Sequence, residues 1–199
     1  MENTTRKSTK ITNHKTKAMK KLILLAAFFS SFCISAQDLY IQNYTDTVIQ
    51  FVVWRLNPSN IAGNCSPNLQ STSSGGLSTL TYAPVVNTVP AEAYYYGDIN
   101  TSNTFNASYP LTPLIDAWTY DSNYSTPYTL PSNPVPTAYI TGSQWGGIKL
   151  GVQDHFGNNI GGYYSLGHFC GSATPVTAFS GVIQGSYFQF GGADWVVLY

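Results

Sequence analysis

The residues best equipped for chemistry gather in one stretch, Trp145 to Cys170, which reads WGGIKLGVQDHFGNNIGGYYSLGHFC. Beyond residue 36, it holds the one lysine, Lys149, both histidines, His155 and His168, and one of two cysteines. Asp154, His155 and His168 offer the carboxylate and imidazole groups of a metal site or of a hydrolase's acid–base pair. Their spacing argues against both. Gly157-Asn158-Asn159 accept the positive φ of a tight turn, so the stretch is expected to fold as a β-hairpin. A turn at Asn158-Asn159 makes Lys149 face His168 and His155 face Gly162, leaving the histidines about 20 Å apart along the ribbon. Asp154 and His155, adjacent on a strand, then point to opposite faces. On these grounds neither a metal nor a cofactor is expected. A hydrolase would need Asp154, His155, His168 or Glu92 to converge on one pocket. There is no Gly-x-Ser-x-Gly elbow, no His-Glu-x-x-His and no Gly-rich phosphate loop. The expected role is non-catalytic, with the hairpin as scaffold.

What must position these residues begins after a leader. Met19-Lys20-Lys21 precedes the apolar run Leu22 to Phe29 and a stretch ending in Ser35-Ala36. Charged, apolar and small-residue regions in that order form a secretory signal, with cleavage expected after Ala36 and Met19 a candidate start. The apolar run is too short to span a membrane as a helix. Residues 1–36 are therefore assigned to an N-terminal extension and signal, and 37–199 to one β domain. An exported location follows: periplasm, cell surface or extracellular.

The leader carries seven of the nine basic residues. Residues 37–199 keep Arg55 and Lys149 against eight acids, a net charge of −6. Nucleic acids and anionic membranes are held by basic patches, which two cations cannot form, so neither is an expected partner. Cys65 and Cys170 remain in a chain bound for an oxidising compartment, and are expected to pair. Closing a loop of about 100 residues adds roughly 4 to 5 kcal/mol on the chain-entropy model.

Many short runs rich in Val, Ile, Thr and aromatics, separated by Gly, Pro and Asn, point to an all-β fold. The expected architecture is an antiparallel β-sandwich in a single domain, with a long irregular Pro-rich insertion from about Asn100 to Pro136. Asp38–Tyr44 and Thr47–Leu56 read as a hairpin turning at Thr45-Asp46. The alternative is a small β-barrel, including an eight-stranded outer-membrane barrel, since Asp194 to Tyr199 ends the chain as an alternating strand with a terminal aromatic.

Aromatic content stands out: four tryptophans and fifteen tyrosines. Trp54 and Trp195 lie in strong strand patterns and are expected in the core. Trp118, Tyr120, Tyr124 and Tyr128 fall in the Pro-rich region, where a loop would expose them. Exposed rings beside amides and hydroxyls suit stacking on sugar rings or docking a protein. The functional expectation is a secreted or cell-surface module that binds glycan or another surface protein through those four aromatics.

Overall fold

A computed structural model describes residues 37–72, 76–83 and 89–199; residues 1–36, the expected signal, lie outside the described residues. Alternation of side chains decides which side of each strand turns inward. In β1 (Asp38–Asn43), Leu39 and Ile41 are fully buried while Tyr40 and Gln42 are not. In β2 (Val48–Leu56), Ile49, Phe51 and Val53 take the inner side. The remaining strands are β3 (Leu69–Thr72), β4 (Ser78–Leu80), β5 (Ala91–Tyr95), β6 (Ala117–Tyr120), β7 (Asn123–Thr129), β8 (Gln144–Gln153), β9 (Asn159–Gly167), β10 (Ala178–Ser180), β11 (Gln184–Phe190) and β12 (Ala193–Leu198). One short helix, α1 (Thr137–Thr141), follows Pro136.

These strands form two sheets. The first runs β10-β11-β12-β1-β5; the second runs β7-β6-β3-β2-β8-β9, with β4 also paired to β2. Leu39, Ile41, Ala93, Tyr95, Val196 and Leu198 from the first sheet meet Ile49, Phe51, Leu69, Trp118, Ile148, Leu150 and Leu166 from the second in one core. Each large apolar side chain removed from water there contributes about 1.5 to 3 kcal/mol. The protein is an all-β sandwich, and among the described residues neither sheet closes into a barrel. The barrel expectation, the outer-membrane barrel included, is corrected accordingly.

Several local expectations are corrected too. β1 and β2 do not form a hairpin. β1 pairs with β5 and, in parallel, with β12, while β2 belongs to the opposite sheet. The chain arches between sheets because Asn43, Thr45 and Thr47 bury a polar knot under it. The Asn43 amide donates to the Thr47 and Thr81 carbonyls, its oxygen accepts from Thr45, and the Thr45 and Thr47 hydroxyls bond each other. The Pro-rich segment is not irregular throughout: it contains β6 and β7. Residues 137–141 form α1, entered through Pro136, whose fixed φ suits a helix start.

The hairpin of β8 and β9 exists, with a shifted turn. Asp154 accepts the Phe156 and Asn158 amide N–H groups and the Asn158 side-chain amide, closing the turn over 154–158 with Gly157 at φ +83°. Lys149 therefore faces Ser165 rather than His168, and Gly147 faces Gly167. Those two glycines carry backbones in such close approach that a Cβ on Gly147 would sit 2.0 Å from the Leu166 carbonyl oxygen.

Exposed edges are blunted, as sandwiches require. β7 carries Pro127, which withholds a ladder donor. Along β9, Tyr164 stacks on Phe179 at 4.2 Å and accepts the Val182 N–H, so the β10–β11 turn covers that edge.

Candidate functional site

Cys65 and Cys170 form a disulfide with their Cα atoms 5.7 Å apart, across a sequence separation of 105 residues. It anchors the segment after β9 against the outer face of the seven-stranded sheet. On that face a small second cluster forms from Trp54, Leu56 and Cys65, with Phe169 packed on it. The even-numbered residues of β2 point outward, so Trp54 leaves the inter-sheet core although it is buried. Its indole N–H donates to the His168 carbonyl at 3.0 Å, and its ring meets Phe169 at 5.1 Å. Gly146 makes room for it: a Cβ there would fall 2.1 Å from the indole nitrogen.

Beside this cluster lies a groove of about 320 Å³, lined by Trp54, Leu56, Asn68, Gln70, Thr119, Ser122, Tyr124, Lys149, Phe169 and Cys170. That size is at the lower end of small-ligand sites. Its floor follows from strand register. Trp54 faces Gln70, Gln70 faces Thr119, and Val52 faces Lys149. A tight turn at Asp121-Ser122, both residues at positive φ, joins β6 to β7 and brings up Tyr124. Asp121 fixes that turn by accepting the Ser66 hydroxyl and the Asn68 N–H. Tyr124 is 61% exposed, so it offers an open ring beside amides and hydroxyls. The Lys149 ammonium lies 6.0 Å from the Trp54 ring centre and makes no hydrogen bond or ion pair among the described residues. A shallower hollow of about 530 Å³ near Leu77, Asn103 and Leu114 has no aromatic lining.

Of the four aromatics singled out in the sequence, the structure puts Tyr124 alone in this groove. Trp118 is fully buried, 6.0 Å from Trp145, and donates to the Ser102 hydroxyl. Tyr120 stacks on Tyr139 at 4.6 Å, and Tyr128 meets the same ring edge-on at 6.3 Å. All four lie on strands, and the exposed-loop expectation fails for these three because their positions turn them onto the core. Trp118 and Tyr120 share the inner face of β6, and Tyr128 pairs with Trp118.

The hydrolase residues are not brought together. His155 stacks on Tyr82 at 4.1 Å and bonds the Asp46 carbonyl at the turn end of the hairpin. His168 follows Gly167 at the opposite end, where its ring meets Tyr187 edge-on. Asp154 is occupied in its own turn, and hydrogen bonds from Asn158 hold its carboxyl below the usual range. Glu92 lies on β5 in the other sheet, accepting from Gln42.

Two buried ionic side chains escaped the sequence reading. Arg55 points inward and is fully buried. Its guanidinium donates to the carbonyls of Gly97, Ile140 and Ser143 and to the Ser143 hydroxyl, and lies 5.0 Å from the centre of the Trp145 ring. Burial pulls it down to about 10, opposed by Asp194 and Asp98. Asp194, also fully buried, accepts from Tyr187 and Gln189 on one oxygen. Burial pushes its carboxyl up, against those hydrogen bonds and the nearby His168 and Arg55 charges. Both are placed by strand alternation, which overrides their polarity.

On the opposite outer face, Phe188, Trp195, Tyr40 and Tyr94 occupy directly paired positions on β11, β12, β1 and β5. Trp195 and Tyr40 stack at 4.1 Å with planes 5° apart, Phe188 lies parallel to Trp195, and Tyr94 leans on Tyr40 at 4.8 Å. Trp195 is thus in a surface ladder, not in the core as the sequence pattern implied.

No family model, curated protein or solved structure matches this chain.

Proposed function

We propose that the protein is an exported, non-catalytic recognition module that binds a glycan in the groove between Tyr124 and Phe169. The observation carrying this reading is the groove's lining. An open tyrosine ring at the rim and an indole and a phenyl ring in the wall accompany the amides of Asn68 and Gln70 and the hydroxyls of Thr119 and Ser122. Sugars present apolar C–H faces ringed by hydroxyls, and such a lining meets both. Export is supported by the disulfide and by the leader's charge and apolar pattern. Protein docking is the second reading, favoured by Phe156, which is 90% exposed on a turn held rigid by Asp154.

A glycan array probed with the wild type and with Tyr124→Ala and Trp195→Ala separates the surfaces. Binding weakened by Tyr124→Ala and kept by Trp195→Ala supports the groove. Retention of full binding by Tyr124→Ala removes the groove as the site.

A further inference from the structure

We propose that the glycan taken by this groove is anionic, with Lys149 receiving its carboxylate or sulfate and Tyr163 forming a second stacking position beyond the groove. The proposal rests on the glycan-binding reading above and deepens it. Residues 37–199 have two cations. Arg55 is sealed between the sheets with its guanidinium engaged by backbone carbonyls. Lys149 is the other. It stands exposed on the outer face of β8, lines the groove, and makes no hydrogen bond or ion pair among the described residues. A flexible ammonium left free beside an indole is a ready donor for an anion. Asp121, adjacent to the lining residue Ser122, has an oxygen committed to Ser66 and the other to Asn68. The chain's overall negative charge acts weakly at this distance, since screening at physiological salt decays over about 8 Å.

Tyr163 extends the same face. Lys149 pairs with Ser165 and Gly151 with Tyr163, so Tyr163 is the diagonal neighbour of Lys149 on that face, about 7 to 8 Å away by sheet geometry. It is 82% exposed, and its ring edge lies over Gly151, where a Cβ would come within 3.2 Å. Tyr124 and Tyr163 stand on the two edge strands of this sheet, β7 and β9, with the lysine between them. Five strand spacings separate those edges, about 24 Å. An extended oligosaccharide crossing the strands would stack at both ends and place one acidic group at the lysine.

The test uses the expressed protein on an array holding uronate-bearing and sulfated oligosaccharides. Their methyl-esterified and desulfated counterparts and neutral chains complete the array. Dissociation constants are then measured for the best binders with Lys149→Gln, Lys149→Arg and Tyr163→Ala. We expect anionic chains to bind best and to lose affinity by about ten- to hundredfold with Lys149→Gln, the size of a hydrogen bond to a charged group. Neutralising the sugar should cost the same, and Lys149→Arg should restore most of it. Tyr163→Ala should weaken hexasaccharides and leave disaccharides unchanged. Whether esterification or desulfation abolishes binding tells a uronate from a sulfate. If the binders are neutral and Lys149→Gln changes nothing, the anionic assignment falls while glycan binding stands. If Tyr163→Ala leaves long chains unaffected, the second stacking position falls. If no glycan binds at all, both readings fall.

Discussion

The two outer faces of this sandwich spend their aromatic residues in opposite ways. On the five-stranded sheet, Phe188, Trp195, Tyr40 and Tyr94 sit at directly facing positions, one per strand, and turn their ring faces to one another. On the seven-stranded sheet the large rings face small or polar neighbours: Trp54 faces Gly147 and Gln70, and Tyr163 faces Gly151. Ring against ring uses up the faces and contributes to stability. Ring against amide leaves a ring face uncovered, and the groove lies beside Trp54 and Gln70. Register decides whether an aromatic's faces are packed against other rings or left open to solvent.

The disulfide offers the largest way to break this contrast, because it belongs to the groove face alone. Replacing both Cys65 and Cys170 with serine should cost about 4 to 5 kcal/mol, as expected for a closed loop of roughly 100 residues. It should also release Phe169 from Trp54, so that glycan affinity falls with stability in urea titrations and binding assays run side by side. A fully stable variant with lost binding would show the bridge to be a local clamp; unchanged binding would show that it does not build the wall.

Trp195→Ala is the corresponding cut on the ladder face. It removes the stacks with Tyr40 and Phe188 and the indole N–H bond to the Phe190 carbonyl. The expected cost is about 2 to 3 kcal/mol, below that of a fully buried tryptophan because this one is partly exposed. Groove binding should not change. If affinity falls while the fold is intact, the two faces are coupled and the contrast is wrong.

How far the sequence exposes this contrast depends on what each residue answers to. Leu39, Ile41, Ile49, Phe51 and Val53 answer to alternation, so strands and core were legible at once. The cysteine pair was legible because the expected export and a count of two beyond residue 36 leave little choice. Trp118 was not, because Pro110, Pro113 and Pro127 around it mask a four-residue strand that its neighbours in β3 stabilise. Trp195 has the alternation of a core residue, and chain order alone cannot say which face of β12 is covered. Lys149 carried a signal that was available, a single lysine flanked by apolar residues at Ile148 and Leu150. An outward lysine on an inward-facing apolar pattern marks the solvent face of its strand. Arg55 shows the converse: a charge at an inner position whose burial depends on the carbonyls of Gly97, Ile140 and Ser143, all far from it in sequence.

Between the faces, Asp194 tests the core. Its folded carboxyl is raised by burial, so it favours the protonated form in the native state. Stability from this group is complete below the unfolded value of about 3.9 and is lost as pH rises through the folded value. Asp194→Asn keeps an oxygen for Tyr187 and Gln189 and removes that loss. A gain over wild type is expected at pH 7 and should vanish at pH 4 in paired urea titrations. A variant less stable at pH 7 than at pH 4, relative to wild type, would mean that attraction to Arg55 and His168 outweighs burial.

Tyr124→Ala should have the smallest effect on the fold and the sharpest on the contrast. The ring is largely exposed, and no ring of the ladder touches it. Surface truncations of this kind stay within about 0.5 kcal/mol in stability. Its loss from the groove rim should nevertheless weaken glycan binding about tenfold, the scale of one stacking contact. Combined with Trp195→Ala, the effects should simply add: a stability loss from one face, an affinity loss from the other, and no coupling between residues on opposite sides of the core. Coupling well above about 0.5 kcal/mol in either quantity would mean that the sandwich transmits between its faces. The ladder would then be part of the proposed recognition surface rather than its counterweight.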